Sequence, residues 1–263
     1  MNTFETVNYQ VKNSLAIITL NRPEVRNSLN RQMRMDIAAA LAAASADKDV
    51  RVMLITGEGK GFCAGADLVE KLPGDNQDGF ITKQLNNEYN PIIQGITDAP
   101  KPVIGAINGA AAGIGSAIAL SCDLVIMADN AFLYSAFGAI SLIPDGGSHK
   151  LFQDLLGAKK AYEMIAFSQR LTAQQCIELG VANKVVAADS LLSEATEWAL
   201  QLAAQAPLTL RYSKELLKKA ATSPLAEVLA AEAEIQNTCY RSEDFQEGAA
   251  AFFEKRAPKF QGK

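Results

Sequence analysis

The stretch that decides the fold is Pro100–Ala128, PKPVIGAINGAAAGIGSAIALSCDLVIMA. From Val103 to Leu120 it carries no charge, and those 18 residues approach the length of a membrane-spanning helix. They include four glycines, and the turn-forming pair Asn108-Gly109 stands near the middle. Glycine weakens a helix interior and Asn-Gly favours a turn, so a continuous transmembrane helix is excluded. The pattern predicts a buried strand over Pro102–Ile107, a glycine-rich turn over Asn108–Gly115, a close-packed alanine-rich helix, and a second strand over Cys122–Ala128. Strand, turn, helix and strand in succession make an α/β unit.

The flanking sequence repeats the theme. Val7, Tyr9 and Val11 alternate, Lys12-Asn13-Ser14 turns the chain, and LAIITL over Leu15–Leu20 resumes it, which predicts a β-hairpin. Asn21-Arg22-Pro23 ends that strand. Met33, Ile37 and Leu41 recur at helical spacing within Asn30–Ala46, and VRVMLITG over Val50–Gly57 is apolar and β-branched enough for a strand. Downstream, Thr172-Ala173-Gln174-Gln175 offers a capping box ahead of a short helix, Gly180 can end it, and a last strand is expected over Val181–Val186. From Ser190 onward only helical periods remain: Leu192–Gln205, Leu208–Ala221, Leu225–Tyr240 and Phe245–Lys255. The chain therefore divides into an α/β core over 1–190 and a helical region over 191–263.

Composition narrows the functional classes. The 263 residues carry 25 Lys+Arg against 29 Asp+Glu, a net charge of −4, with 49% hydrophobic and 21% charged residues. Such a balance suits a globular protein and lacks the basic footprint of a nucleic-acid binder. Cys63, Cys122, Cys176 and Cys239 show no paired spacing, and with a single histidine they make no recognisable metal set. They read as reduced thiols, and MNTFETVNYQ has no basic region followed by an apolar stretch, so a cytoplasmic location is expected.

Three glycine-rich turns stand where chemistry is expected: Gly57–Gly61 running into Phe62-Cys63-Ala64-Gly65-Ala66-Asp67, then Asn108–Gly115, then Asp145-Gly146-Gly147-Ser148. Glycine lets the backbone approach a ligand and turn its N–H groups toward it, although any one such turn could merely redirect the chain. The G-x-x-x-x-G-K-[ST] pattern is absent and Gly113-Ile114-Gly115 lacks the third glycine of a dinucleotide site, which argues against ATP and NAD chemistry.

Taken together, LNRPEVRNSLN (Leu20–Asn30), GKGFCAGADL (Gly59–Leu68), the Pro100–Ala128 stretch, LIPDGGS (Leu142–Ser148) and AFFEKRAPKF (Ala251–Phe260) resemble the crotonase (enoyl-CoA hydratase/isomerase) superfamily. The resemblance spans nearly the whole chain, and the second and third motifs are highly specific in combination. It implies an α/β fold built as a spiral of ββα units with a C-terminal helical region that commonly assembles trimers or paired trimers. It implies an acyl-CoA substrate with no separate cofactor, and with the composition and patterning above no metal, nucleic acid or membrane partner is expected.

The same resemblance assigns residues. A thioester enolate would be held by the backbone N–H groups of Ala66 and Ile114; the chemistry fits, because fixed donors and a helix N-terminus stabilise negative charge developing on an oxygen. Ile114 departs from the glycine usual there, which would narrow the acyl pocket or displace the donor. Arg26, Ala64, Asp67 and Leu68 would line the coenzyme A side with Lys259 and Phe260, where Arg and Lys suit phosphates; a solvated surface cation is the alternative for each. Hydratases of the family use two glutamates, and their positions here hold Ala117 and Phe137, which move no protons. Asp145 stands where some of the family's isomerases carry one acid, and one carboxylate suffices to carry a proton between two carbons. The alternative for Asp145 is a helix N-cap, and Asp67 is likewise expected to cap a helix after its turn. His149 reads as a surface or packing residue, Cys63 as a small buried hydrophobe, and Tyr134 and Ser135 as strand or pocket-lining residues. The resulting expectation is an enoyl-CoA isomerase working through Asp145, with a hydratase or a catalytically weak acyl-CoA binding protein as alternatives.

Overall fold

A computed structural model describes residues 3–263, and its strands follow the apolar runs. β1 (Val7–Lys12) and β2 (Leu15–Leu20) form the expected antiparallel hairpin, turning through Asn13 and Ser14, both at positive φ. α1 (Arg31–Ala46) follows, its first turn capped by the Asn30 side chain, which accepts the Met33 N–H at 2.9 Å.

The chain then winds through three similar units. In the first, β3 (Val52–Gly57) leads to the short β4 (Gly61–Cys63) and a helical stretch made of α2 (Phe80–Gln84), a wide π-type turn over Leu85–Tyr89, and α3 (Asn90–Thr97). The second contains β5 (Val103–Ile107), β6 (Ala110–Ala112) and α4 (Ile114–Ser121). The third contains β7 (Leu124–Ala128), β8 (Phe132–Tyr134) and α5 (Ser148–Ala166), which breaks at Gly157. β9 (Arg170–Thr172), α6 (Ala173–Glu178) and β10 (Lys184–Val186) complete the sheets. The expected capping box holds α6: Thr172 and Gln175 each accept the other's backbone N–H.

Each unit gives its first strand to a six-stranded sheet ordered β1-β2-β3-β5-β7-β10 and its second to a four-stranded sheet ordered β4-β6-β8-β9. This is the ββα spiral. In the larger sheet every pairing after the hairpin is parallel, with Ile104–Ile107 opposite Leu124–Met127. Its central strands are apolar on both faces because both faces are covered; Val52–Ile55, Ile104 and Ile107 are fully buried. The run that resembled a membrane span is divided among β5, β6 and α4, and among the described residues no helix is long and apolar enough to cross a membrane.

α7 (Leu191–Ala203) packs on the larger sheet through Leu191, Ala195, Ala199 and Ala203, a stripe at four-residue spacing. It belongs to the core, so the helical appendage separates after Ala203 and not at the boundary read near residue 190. Beyond it come α8 (Pro207–Ala220), α9 (Leu225–Tyr240) and α10 (Glu243–Glu254). α8 is tied back by Lys214, whose Nζ donates to the Asp123 carboxylate at 2.7 Å and to the Ile96 carbonyl at 2.8 Å. Leu217, Leu225, Leu229, Phe252 and Phe253 on these helices are exposed.

Candidate active site

Two asparagines, the buried Asn27 and the half-buried Asn108, shape the first turn. Asn27 donates to the carbonyls of Glu58 (3.0 Å) and Gly61 (2.8 Å) and accepts the Arg22 N–H (2.8 Å); Asn108 accepts the Gly57 N–H (3.1 Å) and donates to the Gly59 carbonyl (2.9 Å). The chain leaves this turn through β4. The Gly65 carbonyl then accepts the Leu29 N–H (2.8 Å), and the Asp67 N–H donates to the Leu29 carbonyl (3.2 Å). In a trans peptide the N–H points opposite to the C=O. The Ala66 N–H is therefore turned away from Leu29, and no acceptor among the described residues takes it.

The second donor comes from the start of α4. Gly113 (φ 53, ψ −127) precedes it with no side-chain cap, so the Ile114 N–H has no partner within the helix. Glycine is required where the two turns meet: a Cβ on Gly65, which sits at φ +97, would lie 3.0 Å from the Ala112 carbonyl oxygen and 3.8 Å from the Gly113 Cα. The unspent N–H groups of Ala66 and Ile114 thus stand where the two turns meet beside a helix N-terminus, a setting in which an oxyanion can be held. Ile114 leaves the start of α4 regular and turns its side chain toward Gly146, where a Cβ would meet its Cδ1 at 2.3 Å and the Ala117 Cβ at 2.9 Å.

That contact sets Asp145 beside the donors. The Ser148 N–H and hydroxyl bond to the Asp145 carbonyl, at 3.1 and 2.6 Å, and α5 begins after Gly147 with no side-chain cap. Asp145 is therefore not the N-cap its sequence context allowed. Its Oδ1 is buried and accepts no hydrogen bond. Loss of water pushes the carboxyl from 3.8 up to about 6, with its own backbone N–H acting the other way. Ala117, which also meets the Gly146 turn, is fully buried, and the Phe137 ring comes within 3.8 Å of the space a Gly113 Cβ would occupy.

The remaining expected residues divide. Arg26 holds a left-handed backbone (φ 53), its carbonyl accepts the Ala64 N–H at 3.0 Å, and its side chain is exposed, as are Ala64 and Leu68. Asp67 caps no helix: it pairs with Arg22 at 2.9 Å and bounds the turn. Lys259 and Phe260 are not brought to these residues within the chain. The Phe260 carbonyl accepts from Arg51, just before β3, whereas the Ala64–Ala66 turn lies beyond the other end of that strand. His149 is exposed. The Tyr134 ring lies under Arg170 at 5.0 Å, and the buried Ser135 hydroxyl is unpartnered. Cys63 is buried and burial raises its thiol to about 12, so it is not a thiolate. Among the described residues no group of His, Cys, Asp or Glu is arranged to hold a metal.

One cluster escaped sequence reading. Arg34 is almost fully buried on α1, donating to Glu88 (2.8 Å), Glu70 (3.0 Å), the Leu29 carbonyl (2.8 Å) and the Tyr89 hydroxyl (3.2 Å). Its signal was an arginine at helical spacing with Ile37 and Leu41, on the face that faces inward. Glu70 is committed to this cluster and to the Arg31 N–H at 2.7 Å.

The chain matches the family model described as enoyl-CoA hydratase/isomerase over residues 10–263. It is 35% identical to a probable enoyl-CoA hydratase of Rhodobacter capsulatus, covering 99% of this chain and 100% of that one. It is 37% identical to the 1,2-epoxyphenylacetyl-CoA isomerase of Escherichia coli, covering 96% and 97%. The crystal structure of an enoyl-CoA hydratase from Polaromonas sp. JS666 superimposes with a TM-score of 0.92 at 35% identity, covering 97% and 99%.

Proposed function

The chain belongs to the enoyl-CoA hydratase/isomerase family, and from that premise we propose that it is an enoyl-CoA isomerase in which Asp145 carries the proton. The observation that carries the proposal is the contrast between Asp145 and its surroundings: a desolvated carboxylate with an unspent oxygen, in a pocket where Ala117 and Phe137 offer no second acid or base. One relative being an isomerase of a CoA thioester supports it.

The steps follow from this placement. The thioester oxygen takes the N–H groups of Ala66 and Ile114. Asp145, ionised, removes a proton from C2 of a 3-enoyl-CoA, and the electron pair spreads over C2–C4 and the thioester oxygen as a dienolate. The donors stabilise that charge as it develops. The protonated Asp145 then returns the proton at C4, the double bond comes to lie between C2 and C3, and the carboxylate is restored with no net change of atoms. Raising the carboxyl toward neutrality brings it nearer the optimum for such a carrier. Arg26, Ala64 and Leu68 are assigned to the coenzyme A portion, and the exposed apolar faces of α8–α10 to assembly as a trimer or hexamer, in which Lys259 and Phe260 would reach a neighbouring site.

Product analysis tests the proposal. Incubation with 3-hexenoyl-CoA should yield 2-hexenoyl-CoA, and 2-hexenoyl-CoA should gain no water. Formation of 3-hydroxyhexanoyl-CoA from 2-hexenoyl-CoA would establish the hydratase alternative, and binding of both without turnover would establish an acyl-CoA binding protein.

A further inference from the structure

The pocket holds a second polar group that the isomerase chemistry does not use. Tyr89 ends the π-type turn before α3, and such turns recur at functional sites. Ile93 follows it by four residues, hence on the same helical face, and the Ile93 Cδ1 lies 3.6 Å from the space a Gly146 Cβ would fill. The helical face that carries Tyr89 and Ile93 therefore packs against the Asp145-Gly146 turn. Burial, with Asp145 and Glu70 adding to it and Arg34 opposing, raises the Tyr89 phenol to about 12, so it is protonated at neutral pH.

The hydroxyl's bonding is half complete. Its oxygen accepts the Arg34 Nη1 hydrogen at 3.2 Å, while its own hydrogen has no acceptor among the described residues. Asp145 Oδ1 has no donor either, and the two are not bonded to each other. Tyr89 is 5% exposed, and Ile93, Ile114, Ala117 and Phe137 supply no acceptor side chain. A purely hydrocarbon chain filling this pocket would leave a buried donor unsatisfied, which native sites avoid.

We propose that Tyr89 determines specificity by donating its hydroxyl hydrogen to an oxygen on the acyl group, so that the site prefers an acyl-CoA bearing a neutral oxygen beyond the thioester over a plain hydrocarbon chain. The proposal rests on the acyl-CoA assignment above. The oxygen is a carbonyl, hydroxyl or ether and not a carboxylate, because two carboxylates, Glu70 and Glu88, already surround the single guanidinium of Arg34. It sits on C3 to C5, since Asp145, which serves C2 and C4, shares this end of the pocket.

Calorimetry on the full chain with hexanoyl-CoA and its 3-oxo, 4-oxo and 5-oxo analogues tests this. At least one oxo analogue should bind roughly tenfold more tightly than hexanoyl-CoA, and in Tyr89→Phe that ratio should fall to about one. Equal affinity of the wild-type chain for all four ligands would overturn the proposal without reference to any variant. So would an advantage that persists in Tyr89→Phe. Absence of binding by the wild-type chain to hexanoyl-CoA and to every analogue would overturn the acyl-CoA assignment itself, and this proposal with it.

Discussion

Replacing Asp145 by Asn keeps the side-chain shape and removes the proposed proton carrier, and the expected effects on turnover and on stability have opposite signs. General acid–base catalysis is worth roughly two to four powers of ten, so isomerisation of 3-hexenoyl-CoA should slow by about a hundredfold or more, equivalent to about 3 kcal/mol of barrier. Stability should move the other way. The carboxyl titrates at about 6 in the folded chain against 3.8 ordinarily. A group raised on folding contributes stability that is present below its unfolded value and lost as pH rises through its folded value. At neutral pH the ionised Asp145 therefore costs about 2 kcal/mol, discounted for its remaining contact with water. Asn never ionises, so the variant should resist urea better than wild type at pH 7 to 8 and equally at pH 4 and below. Spectrophotometric turnover and urea titration across that range, on one preparation, measure both. Unchanged turnover would refute the assignment of Asp145, and reduced stability at neutral pH would refute the claim that burial raises its carboxyl.

Four further outcomes are expected. Wild-type kcat/KM for the isomerisation should fall below about pH 6 as Asp145 takes up its proton; a profile flat down to pH 4.5 would contradict this. Gly65→Ala places a Cβ 3.0 Å from the Ala112 carbonyl oxygen at φ +97 and so displaces the Ala66 donor. Its turnover should drop roughly a hundredfold, the worth of one oxyanion donor, and wild-type turnover would contradict that role. Arg34→Met leaves Glu70 and Glu88 without their cation and should cost about 3 kcal/mol in urea unfolding; a loss under 1 kcal/mol would show that water already satisfies them. Lys214→Ala cuts the tether from α8 to Asp123 and Ile96 and should cost roughly 1–2 kcal/mol, read as faster amide exchange in α8, and unchanged exchange there would contradict it.

The legible parts of the chain were those where one local pattern decides the structure. Leu225–Tyr240 reads as a helix from its period alone, and the Thr172 capping box is complete within four residues. β4, β6 and β9 are only three residues each, too short to show a period, so the second sheet was hidden although its glycine-rich neighbours were conspicuous. Helix caps were over-read for the same local reason. Asp145 and Asp67 both stand in capping contexts, yet Gly146 and Gly147 at positive φ leave the Asp145 Oδ1 buried and without a hydrogen bond, and Arg22, 45 positions away, takes the second. Tyr89 and Arg34 have meaning only through partners 55 positions apart in sequence, and no spacing announces them.

The most direct measurement follows the proton itself. With 3-hexenoyl-CoA deuterated at C2, a single shielded carboxylate that removes a deuteron and returns it should deliver a substantial fraction of deuterium to C4 of the 2-enoyl product. Product whose C4 hydrogen comes wholly from solvent, or a product that has gained water, would contradict the assignment of Asp145 as the one proton carrier of an isomerase.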